Sequence, residues 1–243
     1  MPMTKSKNIQ AVALQLDNKI PYQRNLDKLL AYIDEFSSHK LIIAPEVCLT
    51  DYDYDNIDKA VEFSNNALEV LKGRVVEQIV VLTVLSKKDG VYTNDAVVVH
   101  KHQIVYRQSK HKLFLLGEED KHLNAGKAED IELFEIDGIK YGLLICFELR
   151  FKDLWKQLEG ADVILVPSQW GITRKKHLEI LPQALAIMNQ CYVIVANSAK
   201  ETMASSSAIY SPNGGVVMDD MLESIEAEID FSLMKKMRRY LVM

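Results

Sequence analysis

Cysteine is scarce in this chain, with Cys48, Cys146 and Cys191 standing far apart among 243 residues. An odd number at such spacing argues against a disulfide framework and leaves each thiol as buried filler or a reactive group. Long apolar runs are also missing. No segment approaches the roughly 20 apolar residues of a membrane span, and the opening MPMTKSKNIQ lacks the apolar centre of a secretory leader. Positive charge is not in excess, since the formal net charge is -5 at pH 7, and no lysine-rich face interleaved with aromatics offers a nucleic-acid surface. The expectation is a cytoplasmic protein with neither membrane nor nucleic acid as a partner. Ten glycines and six prolines are scattered singly, without repeat, low-complexity tract or linker, so residues 1–243 are expected to form a single domain.

What is present suits a large core, with 48% hydrophobic and 26% charged residues. Short apolar runs predict strands at Ile9 to Gln15, Leu41 to Pro45, Ile79 to Leu85, Val91 to His100, Ile131 to Ile136, Tyr141 to Cys146, Val163 to Pro167 and Tyr192 to Ala199. Leu26, Leu29, Leu30, Ile33 and Phe36 share one helical face, as do Leu178, Leu181, Leu185 and Met188. Asp89-Gly90, Asp137-Gly138 and Asn213-Gly214 stand between strand-like runs as two-residue hairpin turns favour. Helix-separated strands mixed with hairpins imply an α/β protein with mixed sheets covered by helices, and chemistry at strand ends.

Cys146 fits such a strand end. In YGLLICFELRF an apolar strand breaks at the cysteine into a turn that opens a helix toward Trp155. Backbone N–H groups at such a break can stabilise a thiolate and later an oxyanion. A free cysteine is equally at home as a small buried hydrophobe, so both readings stay open on this stretch alone. Cys191, within NQCYVIVAN, reads as core. A nucleophilic thiol needs a base, and none of the six histidines has a protease-like setting; His100-x-His102, on one strand face without further ligands, makes a poor metal site and a better solvated hairpin edge. Glu46, leaving the strand LIIAP in LIIAPEVCLTDYDYDN, is the carboxylate with the most suggestive surroundings. Partial burial would make it a better proton acceptor, with a nearby lysine restraining that shift; the other reading is a cap of the next turn.

APEVCLT, YRQSKHKLFLLGEED and LLICFELRF resemble the three catalytic segments of the nitrilase, or carbon-nitrogen hydrolase, superfamily. AVALQLD, GADVILVPSQW, MNQCYVIVANSA and SSSAIYSPNGGVV resemble other family segments in the same order, so the similarity runs from Ile9 to Phe231. The resemblance implies a nitrilase-like four-layer α-β-β-α sandwich with mixed β-sheets, and no metal or organic cofactor. It also implies Cys146 as nucleophile and Glu46 as general base. The family's lysine is displaced here: counting forward from Tyr106-Arg107 reaches Gln108, whereas counting back from Leu113-Phe114 reaches Lys110, with Lys112 where the family has histidine. Lys110 is preferred and Lys112 is the alternative. Glu119 precedes Gly126 by the family's seven positions and takes the place of a second glutamate, with Glu118 adjacent.

By the same resemblance, Lys110 and the Phe147 N–H would hold an oxyanion, Gln169 and Trp170 would wall the pocket, and a thioester on Cys146 would be hydrolysed to an acid. The expected substrate is a small amide, since the nitrilase branch usually has tryptophan where this chain has Phe147. Nitrilase, carbamoylase and acyl-transfer chemistry are alternatives. So are a catalytically reduced binding module and, less well supported, a cysteine-histidine transferase. Arg150 is expected to pair with a carboxylate and hold the turn. Leu185 and Met188 replace a common arginine and glutamate, and Asp51 replaces a glycine. A homodimer or larger homo-oligomer is expected.

Overall fold

The structure is a computed structural model that describes residues 8–241. Twelve strands are found among the described residues: β1 (Ile9–Leu14), β2 (Leu41–Ile43), β3 (Ile79–Lys88), β4 (Val91–His100), β5 (Gln103–Ser109), β6 (Phe134–Ile136), β7 (Ile139–Leu143), β8 (Val163–Ser168), β9 (Tyr192–Asn197), β10 (Ala208–Tyr210), β11 (Val216–Met218) and β12 (Ser224–Ile229). The helices are α1 (Tyr22–Glu35), α2 (Ile57–Arg74), α3 (Glu119–His122), α4 (Lys152–Gln157), α5 (Lys175–Met188) and α6 (Phe231–Tyr240). The strands make two six-stranded sheets, ordered β12-β1-β2-β3-β4-β5 and β11-β10-β9-β8-β7-β6. Each has a parallel centre, β1-β2-β3 and β7-β8-β9, with antiparallel flanks.

Strand periodicity separates the layers. Val12, Ile42 and Val80 point to Leu26, Leu29 and Ile33 of α1 and to Leu68 and Leu71 of α2. Their neighbours Ala11, Leu41, Ile43, Ile79 and Val81 point the other way, into the core shared with the second sheet. That second sheet is covered on its far face by α4 and α5 through Leu154, Leu178 and Leu185. All six residues of β8 are buried, as expected of a central parallel strand covered on both faces. The result is the four-layer α-β-β-α sandwich with mixed sheets that the family resemblance implies. Each fully buried Leu, Ile or Val contributes about 1.5–3 kcal/mol relative to exposure.

The turns at Asp89-Gly90 and Asp137-Gly138 have positive φ at both residues (52° and 82°; 52° and 79°), as two-residue type I′ hairpins require. Asn213-Gly214 differs: strands β10 and β11 are joined by residues 211–215, with the Ser211 N–H donating to the Gly215 carbonyl at 2.9 Å. Another two-residue turn, Lys101-His102, has φ 48° and 63° without any glycine and joins β4 to β5. His100 and His102 therefore do not share a strand face. His100 is buried with Nδ1 2.9 Å from the Gln78 carbonyl, and His102 lies in the turn. The predicted strand from Ile131 shortens to β6, and the run to Cys146 ends as β7 at Leu143.

This topology gathers the chemistry at one end. Because β5 is antiparallel to β4 and β4 to β3, β5 runs in the direction of β2, and both release their chains at the same edge. The Glu46 N–H donates to the Ser168 carbonyl at 3.2 Å, joining the end of β2 to the end of β8 across the two sheets.

Candidate active site

Four side chains meet where β2, β5 and β7 end. Glu46, three residues past β2, is 1% exposed, and Lys110, the first residue past β5, is fully buried. The Lys110 N–H donates to the Asn94 carbonyl of β4 at 2.8 Å, extending the strand pairing and fixing the backbone. Its ammonium then donates to Glu46 Oε1 at 2.8 Å and Glu119 Oε1 at 2.7 Å. Glu119 opens α3, and its Oε2 accepts the Phe114 N–H at 2.9 Å. Neighbouring carboxylates hold the Lys110 ammonium above its ordinary pKa despite burial, which alone would lower it. Burial pushes Glu119 upward, aided by Glu46 and opposed by Lys110.

Two residues with no role in the sequence reading complete this cluster. The Tyr52 hydroxyl lies 2.6 Å from Glu46 Oε1 and 3.0 Å from Glu119 Oε1, and Asn94 Nδ2 donates to Glu46 Oε1 at 2.9 Å and to Tyr52 at 3.0 Å. Glu46 Oε1 thus faces donors from Tyr52, Asn94 and Lys110, while Oε2 has no hydrogen-bond partner among the described residues. Neither left a signal: Asn94 sits between Thr93 and Asp95 in the first half of β4, and Tyr52 lay unmarked in TDYDYD.

Cys146 begins a tight helical turn, Cys146–Arg150, with φ 50°, a conformation that costs a non-glycine residue on the order of 1–3 kcal/mol. Val47, beside Glu46, carries the same kind of strain at φ 43°, and its N–H is held by Thr83 Oγ1 at 2.7 Å. Burial pushes the Cys146 thiol well above its ordinary pKa, as does Glu46, with Lys110 and the Gln169 N–H pulling the other way. Cys48 and Cys191 are pushed up by burial to about 12.

The buried Glu148 ties the cysteine turn to the lysine loop. Its Oε2 accepts the Ile145 N–H at 2.7 Å, and its Oε1 accepts the His111 and Lys112 N–H groups at 2.6 and 3.3 Å. Burial pushes this carboxyl up to about 7 against those three donors.

A cavity of about 190 Å³ brings Glu46, Glu119 and Cys146 together with Gln169, Phe114 and Arg174. A smaller cleft opens from the same cysteine between Phe147, Arg150, Trp170 and Arg174. Gln169 and Trp170, named from sequence as pocket walls, and Phe147, named for its N–H, all line the cleft that contains Cys146. Gln169 is oriented by Asp51 Oδ1 at 2.9 Å; Asp51 adopts φ 57° where the family has glycine and also pairs with Lys200. The alternatives Lys112 and Glu118 lie elsewhere, the first over the Phe151 ring and the second exposed and paired with Lys121. Arg150 departs from expectation. It has no carboxylate within 4.0 Å among the described residues, and instead lies 4.7 Å over the Trp170 ring with Nη2 2.8 Å from His177 Nδ1. Its own turn already spends its carboxylate, Glu148, on backbone donors.

Among the described residues no helix is long and apolar enough to cross a membrane. Nor do three or more His, Cys, Asp or Glu side chains converge as a metal-ion cage there.

The carbon-nitrogen hydrolase family matches residues 11–239 of this chain. The 2-oxoglutaramate amidase of Bacillus subtilis (strain 168) is 29% identical over 220 residues, covering 85% of this chain and 84% of its own. The deaminated glutathione amidase of Escherichia coli O157:H7 is 26% identical over 220 residues, covering 83% and 82%. A solved CN-hydrolase superfamily protein from Xanthomonas campestris superposes with TM-score 0.86 at 19% identity, over 97% of this chain and 95% of that one.

Proposed function

Because this chain belongs to the carbon-nitrogen hydrolase family, we propose that it hydrolyses the C–N bond of a small amide through a thioester on Cys146. The observation that carries this reading is the asymmetry of Glu46: Oε1 is clamped by three donors, and Oε2 is left unpartnered on a residue that shares a cavity with Cys146. Such a carboxylate can take a proton without moving.

The Cys146 thiol gives its proton to Glu46 as Sγ attacks the amide carbon, and the carbonyl electron pair moves onto oxygen. The Lys110 ammonium and the Phe147 N–H stabilise that oxyanion; loss of one such donor typically costs about 10²- to 10³-fold in rate. As the tetrahedral species collapses, the C–N bond breaks and the nitrogen leaves with the proton held by Glu46, as ammonia or an amine. Water then gives a proton to Glu46 and attacks the thioester, releasing the acid and the thiol. The rested thiol is protonated in this scheme, consistent with the two carboxylates that already surround one ammonium. Glu119 and Tyr52 hold Lys110 in place, and Glu119 borders the substrate amide. The amidase names of two relatives support the choice of amides over nitriles. The whole chain is taken as one hydrolase domain, and the exposed Ile180, Ile187 and Met188 of α5 support pairing with a second copy.

Ammonia release from a panel of small amides, nitriles and carbamoyl compounds tests the reading. Amides are expected to be turned over by wild type and not by a folded Cys146→Ala protein. A panel in which only nitriles or carbamoyl compounds release ammonia overturns the amide assignment. Undiminished turnover by Cys146→Ala removes the nucleophile.

A further inference from the structure

A chain of three side chains beside Cys146 has no part in the hydrolytic scheme. Gln169, the first residue past β8, borders both the cavity and the cleft that contain the cysteine, and its N–H pulls the thiol's pKa down against burial. Its Nε2 donates to Asp51 Oδ1 at 2.9 Å, and Asp51 Oδ2 pairs with Lys200, three residues past β9. The Asp51 N–H donates to the Val47 carbonyl at 2.8 Å, which fixes the left-handed backbone of Asp51. An ionised carboxylate only accepts hydrogen bonds, so Asp51 admits one orientation of the Gln169 amide. Nε2 faces Asp51, and Oε1 is turned away from it. That oxygen has no hydrogen-bond partner among the described residues and is not closed off from solvent. A glycine at position 51, as in the family pattern, would leave the amide free to flip.

We propose that Gln169 Oε1 accepts a hydrogen bond from a hydroxyl on the acyl carbon next to the scissile carbonyl, and that Asp51 is the positioning residue that keeps this acceptor in place. This rests on the amidase reading and deepens it, naming an α-hydroxy amide as the substrate class. Position follows from Cys146. A residue whose backbone N–H acts on the sulfur presents its side chain to the atoms flanking the carbon that the sulfur attacks. Charge selects the donor. Arg150 and Arg174 border the same cleft, so a protonated amine is repelled there and a neutral hydroxyl is not. A group that only accepts, such as an ether oxygen, meets Oε1 oxygen against oxygen and leaves both unpaired.

The test compares lactamide with its methyl ether, which shares the oxygen's pull on the carbonyl, and with isobutyramide, which shares lactamide's size. Wild type is expected to favour lactamide over each by about tenfold or more in kcat/KM. Gln169→Leu should bring both ratios to within about threefold of unity, mainly through the KM of lactamide. Asp51→Asn separates orientation from bulk. Asparagine tolerates a left-handed backbone as aspartate does, but its amide both donates and accepts, so Gln169 is freed to present either end. The lactamide-to-ether ratio should fall by about fivefold or more in that variant, and Asp51→Glu, still acceptor-only, should recover part of it. Equal kcat/KM for the three amides in wild type, or unchanged ratios in Gln169→Leu, overturns the acceptor site while leaving amide hydrolysis standing. An unchanged ratio in Asp51→Asn overturns the role of Asp51. If none of the three amides is hydrolysed, calorimetric titration of wild type and Gln169→Leu with the same amides decides. Lactamide binding that is about tenfold tighter than the others in wild type, and no tighter in the variant, supports the site; absent or equal binding overturns it.

Discussion

Gly126 is pressed against Ser109: a Cβ on the glycine would stand 2.4 Å from the Ser109 carbonyl oxygen and 2.8 Å from the Ser109 Cβ. The Gly126 N–H also donates to the Lys110 carbonyl at 2.8 Å. The seven-residue interval from Glu119 is thus the length of chain that leaves α3 and returns to close on the end of β5. A side chain at Gly126 must move backbone, and the backbone it moves carries Lys110. Gly126→Ala is expected to cost about 1–3 kcal/mol in denaturant unfolding and to lower kcat more than it changes KM. Wild-type stability together with wild-type kcat would show that the contact does not position the lysine.

Lys110 separates two buried carboxylates, and its removal leaves like charges with no counter-ion. Lys110→Met is expected to abolish most turnover and to destabilise the fold by about 3–5 kcal/mol near neutral pH. In the variant one carboxyl must take up a proton, so its folded pKa rises above the unfolded value. Stability associated with that proton is present at low pH and lost as pH rises through the folded pKa. Urea midpoints should therefore show Lys110→Met closer to wild type near pH 5 than near pH 8. Lys112→Ala loses a cation over the Phe151 ring and should cost no more than about 1 kcal/mol. If Lys112→Ala is the inactive variant, the cation belongs two residues later.

Glu148 supplies a pH signature of its own. Its carboxyl rises from 4.5 to about 7 on folding because it is buried. The folded state therefore binds more protons than the unfolded chain across that interval, and stability falls as pH rises through it, by about 3 kcal/mol for this group. Glu148→Gln removes the titration and should flatten the stability profile between those values. It also places an amide NH₂ where backbone N–H groups of Ile145, His111 or Lys112 need an acceptor. Turnover should drop even at the pH where stabilities match, because the cysteine turn and the lysine loop lose their shared strut. A pH profile of unfolding unchanged by Glu148→Gln would sink this account.

Periodicity made the central strands and α1 legible, since Leu26, Leu29 and Ile33 meet the sheet as their spacing predicts. It failed for α2, whose inward face is carried by Ala60, Val61, Ser64 and Ala67 as well as Leu68 and Leu71, too small and polar a stripe to stand out. It failed also for β5, a half-exposed flanking strand reading QIVYRQS, and for β12, SIEAEI, where only Ile225 and Ile229 are buried. The displaced lysine segment explains why counting only preferred Lys110 and kept Lys112 as the alternative. Their burial separates them, and burial depends on β4 and β5 pairing with an irregularity at Val98/Val99. Tyr52 and Asn94 were beyond reach for another reason: each matters through Glu46 or Glu119, which stand on other segments and come within hydrogen-bond distance only in the folded chain.

The thioester itself is accessible to chemistry. A substrate amide supplied with hydroxylamine should yield a hydroxamate as well as the acid, because an acyl-enzyme on Cys146 divides between water and a stronger nucleophile. Direct attack of water on the bound amide creates no such shared species. The geometry at Glu46 adds a second expectation. Glu46→Gln keeps an oxygen to accept from Lys110, Tyr52 or Asn94 but offers no carboxylate oxygen to take protons. Any acyl group that forms slowly in that variant should then persist, since the water of the second step lacks its base. Intact-protein mass spectrometry should find Glu46→Gln heavier by the acyl group, with the added mass mapping to the peptide that contains Cys146 and not to Cys48 or Cys191. For an amide that wild type turns over, absence of both hydroxamate and acylated Cys146 would remove the covalent route. The clamped carboxylate would then have to activate water directly.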